Sequence, residues 1–118
     1  MSATALKLRN PHFKSVKVTA PSAGYTAGQM VKIEDTVGVI VETKTVGLDT
    51  ALIYGCEKIV VPKSTGVTFT KGDKVYFNAS AAKVTSTASG NTLCGRANED
   101  AASGATEIEI DLNGDVAA

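Results

Sequence analysis

The chain has 118 residues, 43% of them hydrophobic, and its 12 basic side chains balance 12 acidic ones. That length suffices for one compact core burying roughly two-thirds of the surface of the unfolded chain, and not for a second. Zero formal charge disfavours a general nucleic-acid coat, and the longest apolar run, Ala51 to Tyr54, is far short of the roughly 20 residues that cross a bilayer.

Residues 1 to 14 hold Lys7, Arg9, Pro11, His12 and Lys14 among short apolar residues, without the apolar stretch of a secretory signal. They predict an extended basic arm. From residue 15 to 113 the pattern is that of one β domain, and residues 114 to 118 form a tail. Period-two runs predict strands over 15–20, 29–34, 37–43, 50–54, 57–61, 74–78, 83–86, 92–97 and 106–112. Turn residues separate them, among them Pro21 to Gly24, Ala27-Gly28, Val46-Gly47, Pro62 to Gly66, Lys71 to Asp73, Ser89 to Asn91 and Ser103-Gly104. No window carries uninterrupted helical spacing. The expected fold is all-β, a small single-domain barrel or sandwich behind an extended arm.

The chain also matches itself. Tyr25-Thr26-Ala27-Gly28-Gln29-Met30-Val31 aligns with Phe69-Thr70-Lys71-Gly72-Asp73-Lys74-Val75, and Gly38, Glu42 and Gly47 align with Gly95, Glu99 and Gly104. Between these blocks the second copy is longer, and the surplus falls on Asn78 to Asn91, which reads as an inserted hairpin. An internal duplication would pack two halves about a pseudo-twofold axis and hide most sheet edges. Gly28 and Gly72, each just before a strand, are expected to supply a tight turn or a positive φ.

The charge balance hides a gradient. The first 33 residues carry Lys7, Arg9, Lys14, Lys17 and Lys32 and no acid, whereas Glu99, Asp100, Glu107, Glu109, Asp111 and Asp115 close the chain with no base after Arg96. Two readings stay open: the ends are neighbouring strands of one fold, or the basic arm reaches an acidic patch of another subunit or partner.

No catalytic constellation is present. The single histidine, His12, has nothing beside it to orient it as an acid or base. Neither a nucleophile elbow nor a phosphate loop occurs, since Gly66 to Gly72 holds its lysine before the glycine. Asp111-x-Asn113-x-Asp115 misplaces the glycine of a calcium loop. Cys56 and Cys94 lack metal or dithiol spacing and are expected to be small buried residues. Glu34, Asp35, Glu42 and Asp49 fall at turns or solvent-facing positions. No enzyme activity, metal or cofactor is expected, and the profile is that of a binding or structural module.

Val16 to Gly24, Gly28, Gly38 to Val41, Gly55 with Ile59 to Lys63, Gly72 to Phe77, Lys83 to Gly95, Ala101 to Ala105 and the closing Ile108-x-Ile110-x-Leu112 stand in a specific order and spacing. Together they resemble the capsid cement, or head decoration, proteins of tailed bacteriophages, with the basic segment Met1 to Lys14 as a departure. The resemblance implies a structural virion protein on the outer surface of the capsid, made in the host cytoplasm. Its partner would be the major capsid protein, and it would be a homo-oligomer, with a trimer favoured over a dimer. No DNA contact is implied. Lys7, Arg9, Pro11, His12, Phe13 and Lys14 are then the candidate capsid-binding residues, by strand addition to a coat-protein edge. The alternatives are a carbohydrate- or receptor-binding β module and another phage head or tail structural protein.

Overall fold

Alternating apolar residues separated by glycine turns produce an all-β chain. The computed structural model describes residues 13–33 and 36–113, and these form eight strands and no helix. They are β1 (Phe13–Thr19), β2 (Met30–Ile33), β3 (Thr36–Ile40), β4 (Asp49–Pro62), β5 (Lys74–Asn78), β6 (Lys83–Thr85), β7 (Thr92–Ala97) and β8 (Glu107–Asn113). All belong to one sheet of order β2-β3-β4-β8-β7-β5-β6, with β1 on the second edge of β4. A parallel bridge from Lys63 to Val84, with the Ser64 N–H donating to the Val84 carbonyl at 3.0 Å, brings β6 back to the end of β4. The sheet therefore curls into a nearly closed barrel.

Two expected strands, 50–54 and 57–61, are a single strand. Gly55-Cys56 reads as a break in the sequence, but β4 runs through it and absorbs the irregularity as a bulge between Cys56 and Ile59. Lys58 takes φ 59° there, a left-handed conformation that a bulge accommodates at modest cost. Strand β1 begins at Phe13, two residues before the expected strand 15–20, and pairs Phe13 with Cys56 and Lys14 with Gly55.

The duplication is visible in the hydrogen bonds. Gly28 N–H donates to Ile40 O at 2.9 Å as Gly72 N–H donates to Ala97 O at 2.8 Å, and Tyr25 bridges Lys44 as Phe69 bridges Ala101. Gly28 and Gly72 take φ of 85° and 94°, the conformation their turns require. The likeness extends upstream of the sequence match. Val16, Val18 and Thr19 pair with Leu52, Thr50 and Asp49 on β4, just as Ile59, Val61 and Pro62 pair with Ile110, Ile108 and Glu107 on β8. The first repeat is thus β1, β2, β3 and the first half of β4, and the second is the other half of β4 with β5, β7 and β8. Strand β4 is long because it closes one repeat and opens the next. The path from β2 to β5 is a palindrome of equivalent strands, the order a pseudo-twofold produces. Strand β6 lies in the surplus segment and has no counterpart.

The core follows from period two. On β8, Ile108, Ile110 and Leu112 are buried while Glu107, Glu109 and Asp111 point outward. They meet Ile59, Val61, Val75, Phe77, Val84 and Phe69 in one cluster that also takes in Met30, Val37, Val39 and Ile53 of the first repeat. Each such side chain contributes about 1.5–3 kcal/mol by leaving water.

Candidate functional site

Equivalent positions of the two repeats differ most where β6 is missing. In the second repeat β6 lies along β5, pairing Phe77 with Val84 and Tyr76 with Thr85, and spans the gap to the end of β4. In the first repeat β2, the equivalent of β5, pairs with β3 alone among the described residues. Pro21 stands where Ser64 donates to Val84 and has no N–H to give. Among the described residues the first repeat therefore has no strand in the place that β6 takes in the second.

The consequence is exposed apolar surface. Val16, Val18, Val31 and Ile33 lie on the same sheet face as Ile40 and Leu52, by the β2–β3, β3–β4 and β1–β4 registers. Their equivalents Ile59, Val61, Val75 and Phe77 are fully buried, whereas Val18, Val31 and Ile33 are half-buried and Val16 is 47% exposed. Val46 and Leu48, in the turn entering β4, are 61% and 52% exposed. These three are the exposed large hydrophobic residues among those described. Exposed large apolar residues gathered in one repeat make that half the candidate interaction surface. Beside it the loops 22–26 and 43–46 frame a shallow open cleft.

Charge divides the same way. Strands β1 and β2 carry Lys14, Lys17 and Lys32 and no acid. Lys17 lies 3.5 Å from Asp49, whose carboxylate also accepts the Thr19 hydroxyl hydrogen bond at 2.7 Å; that hydrogen bond, followed by the lysine, holds the Asp49 carboxyl below its ordinary value. On β8, which meets β4 at Gly55 and Cys56 just as β1 does, the outer face is acidic. Burial, then the neighbouring Glu57, pushes the Asp111 carboxyl above its ordinary value. Folded protein then holds the Asp111 proton more tightly than unfolded chain does, so this group's contribution to stability falls as pH rises from the unfolded value of 3.8 through the raised one. Asp111→Asn is expected to stabilise the protein slightly at pH 7, with the gain vanishing at pH 3. Urea midpoints at the two pH values test this, and a lower midpoint for the variant at pH 7 would contradict it.

Of the six expected partner-binding residues, Lys7, Arg9, Pro11 and His12 lie outside the described residues. Phe13 and Lys14 are strand residues of β1, and the Lys14 stem runs beside Gly55, where a Cβ would come within 3.3 Å of it. Sequence reasoning missed Val16, Val46 and Leu48. The signal was available in the repeat itself, since Val46-Gly47-Leu48 aligns with Ser103-Gly104-Ala105, an apolar turn against a polar one. Glu34, Asp35 and Asp115 also lie outside the described residues.

Neither cysteine offers chemistry. Both are buried thiols outside any disulfide, and desolvation pushes the Cys94 thiol up to about 12. Cys56, which donates to the Glu57 carbonyl at 3.2 Å, is raised by burial and then by Asp111 and Glu57. Since the thiolate is the reactive form, Cys94 is expected to resist a thiol reagent in native protein and to react once urea unfolds it. Rapid native labelling of two thiols would show that the barrel opens. Among the described residues no group of three His, Cys, Asp or Glu side chains is placed to hold a metal ion.

Among the described residues the second half of the β domain is sealed and the first carries the exposed Val16, Val46 and Leu48. The family model described as phage cement protein matches residues 11–112. The chain belongs to the phage cement protein family. No curated protein matches it. The match covers both repeats, the inserted β6 and the whole barrel, and leaves residues 1–10 outside it. As a cement protein it is a structural protein of the phage capsid and associates with capsid proteins.

Proposed function

We propose that this cement protein binds the outer surface of the expanded head, as a homo-oligomer, and bridges neighbouring major capsid protein subunits. The family match over residues 11–112 carries the reading. The exposed Val16, Val46 and Leu48 support it, because a capsid-bound protein needs a surface that water leaves on docking. Packaged DNA presses the shell outward, and a subunit bound across two coat proteins must be stripped off before they part. Several modest contacts per oligomer then act together, with a gain of roughly 10²- to 10⁴-fold over one contact. A site present only on the expanded shell lets binding stabilise that state by mass action. Within this reading the basic residues Lys7, Arg9, His12 and Lys14, with Pro11 and Phe13, form a second anchor on the coat.

The test compares heads assembled with and without the protein. Decorated heads are expected to carry hundreds of copies and to retain DNA at temperatures where bare heads burst. A few copies per particle, or equal heat resistance, would reject the bridging role. Removal of residues 1–12 should lower occupancy at limiting protein, and unchanged occupancy would remove the arm from the contact.

A further inference from the structure

We infer that the gap between β1 and β2 is a strand-receiving groove, filled on the particle by an extended, acidic segment of the coat protein with apolar residues at alternate positions. The inference rests on the capsid-binding reading and specifies which face of the molecule meets the coat and what it takes hold of.

The second repeat is the template. There the groove is filled in cis by Lys83-Val84-Thr85, antiparallel to β5 and in parallel contact with the end of β4, and Val84 is fully buried over Ile59, Val61 and Phe77. The first repeat keeps the same walls, β1 and β2, the same floor, Ile40 and Leu52, and the same end turn around Tyr25. Among the described residues no strand fills its groove. A segment added antiparallel to β2 would satisfy the open strand edge and cover Val16, Val18, Val31 and Ile33 with one inward apolar residue in two, which is how β-strand addition divides affinity from specificity.

Charge selects the occupant. Both walls carry lysines and no acid, and among the described residues Lys17 is matched by Asp49 while Lys14 and Lys32 stand exposed in solvent. An occupant with acidic residues at its outward positions neutralises them. The protein's own arm, or that of a second molecule, brings Lys7 and Arg9 to the same place and opposes like charge with like.

Full-length protein is titrated onto expanded heads that lack it. Val16→Glu, at an exposed position that the fold tolerates, is expected to weaken binding about tenfold or more, and Lys32→Glu to weaken it less and to flatten its salt dependence. Thr87→Glu, on the β6–β7 turn of the sealed repeat, is expected to bind as wild type. If wild type itself does not bind heads, the capsid-binding reading fails. If wild type binds and Val16→Glu binds equally well, that reading stands and the groove is overturned. For the occupant, Val16→Cys carrying a photo-crosslinker is irradiated on the particle, the two buried native thiols being left unlabelled. Capture of an acidic segment of the major capsid protein supports the inference. Capture of a second molecule of this chain, or of its own arm, overturns it.

Discussion

Gly95→Ala is expected to unfold the protein or to cost it about 4 kcal/mol or more, beyond the usual range for overpacking. A Cβ on Gly95 would land on the carbonyl oxygen of Asp111 in the neighbouring strand. That oxygen cannot retreat. Asp111 sits in β8 between β4 and β7, and its neighbours Ile110 and Leu112 are locked in the core. The equivalent Gly38 meets the same obstacle in milder form, with Ile53 O and Leu52 Cγ each 2.6 Å from its added Cβ. Half of that obstruction is a side chain, and β3 borders the open side of the molecule, so Gly38→Ala should cost about 2–3 kcal/mol. Gly104→Ala is the control, with nothing within 4 Å of its Cβ and an expected gain of at most about 1 kcal/mol. Urea unfolding ranks the three. A Gly95 variant within about 1 kcal/mol of wild type would mean that the β7–β8 register is not the one described.

The order of these effects reflects how the duplication has diverged. One repeat acquired an inserted hairpin that seals its own barrel, and it can tolerate polar outward residues such as Lys74, Arg96 and Asp111 because its interior is complete. The other repeat kept the shorter connection and retains apolar residues on both faces of β3, where Val37 and Val39 point into the shared core and Ile40 points toward the groove. A strand apolar on both faces is what sheets show when both are covered. Both faces of β3 are buried, Ile40 included, whereas Val16 on β1 stays 47% exposed, so the rim of the groove rather than its floor is the surface expected to meet a partner.

Most of the architecture was legible in the sequence. Period-two spacing over 106–112 places β8 within one residue of its observed ends, Glu107–Asn113, and the length difference between the two copies points to the β5–β6 hairpin. What escaped was anything decided by a neighbouring strand. Val16 and Ile59 are both β-branched residues in basic or mixed strands, and nothing local says that one will be 47% exposed and the other buried. The difference is made by β6, far along the chain. Likewise Gly55-Cys56 looks like a turn, and only the simultaneous pairing of β1, β3 and β8 along β4 holds the strand together through its bulge. Charge and proline content at Lys7, Arg9, Pro11 and His12 predict an extended arm, a local property that does not fix its position against the barrel.

Lys63 shows the same limit from the side of stability. In the sequence it belongs to a polar turn, Pro62 to Gly66, yet it is fully buried and corresponds to the buried Ala20 of the first repeat. Its ammonium donates to the carbonyls of Ser64 at 3.0 Å and Ala105 at 3.1 Å, and its backbone N–H donates to Thr106 at 2.8 Å. It therefore ties the end of β4 to the turn before β8 at the point where β6 closes the barrel. Lys63→Ala leaves two carbonyls without a donor and a void where the stem lay, and is expected to cost about 3 kcal/mol. Lys63→Met keeps the stem and removes the charge that was costly to bury, so its loss should be nearer 1 kcal/mol. The pH dependence separates the two contributions. Burial holds the Lys63 amine below its ordinary value of 10.5, so the unfolded chain binds the proton more tightly. Stability from this group is therefore lowest when the amine is charged in both states and rises as pH climbs through the lowered value toward 10.5. Wild type should gain stability relative to Lys63→Met as pH climbs toward 10.5, and a relative loss over that climb would contradict a lowered amine. A Lys63→Ala variant as stable as Lys63→Met would mean that the stem contributes no packing, and the barrel closure would then rest on the β6 pairing alone.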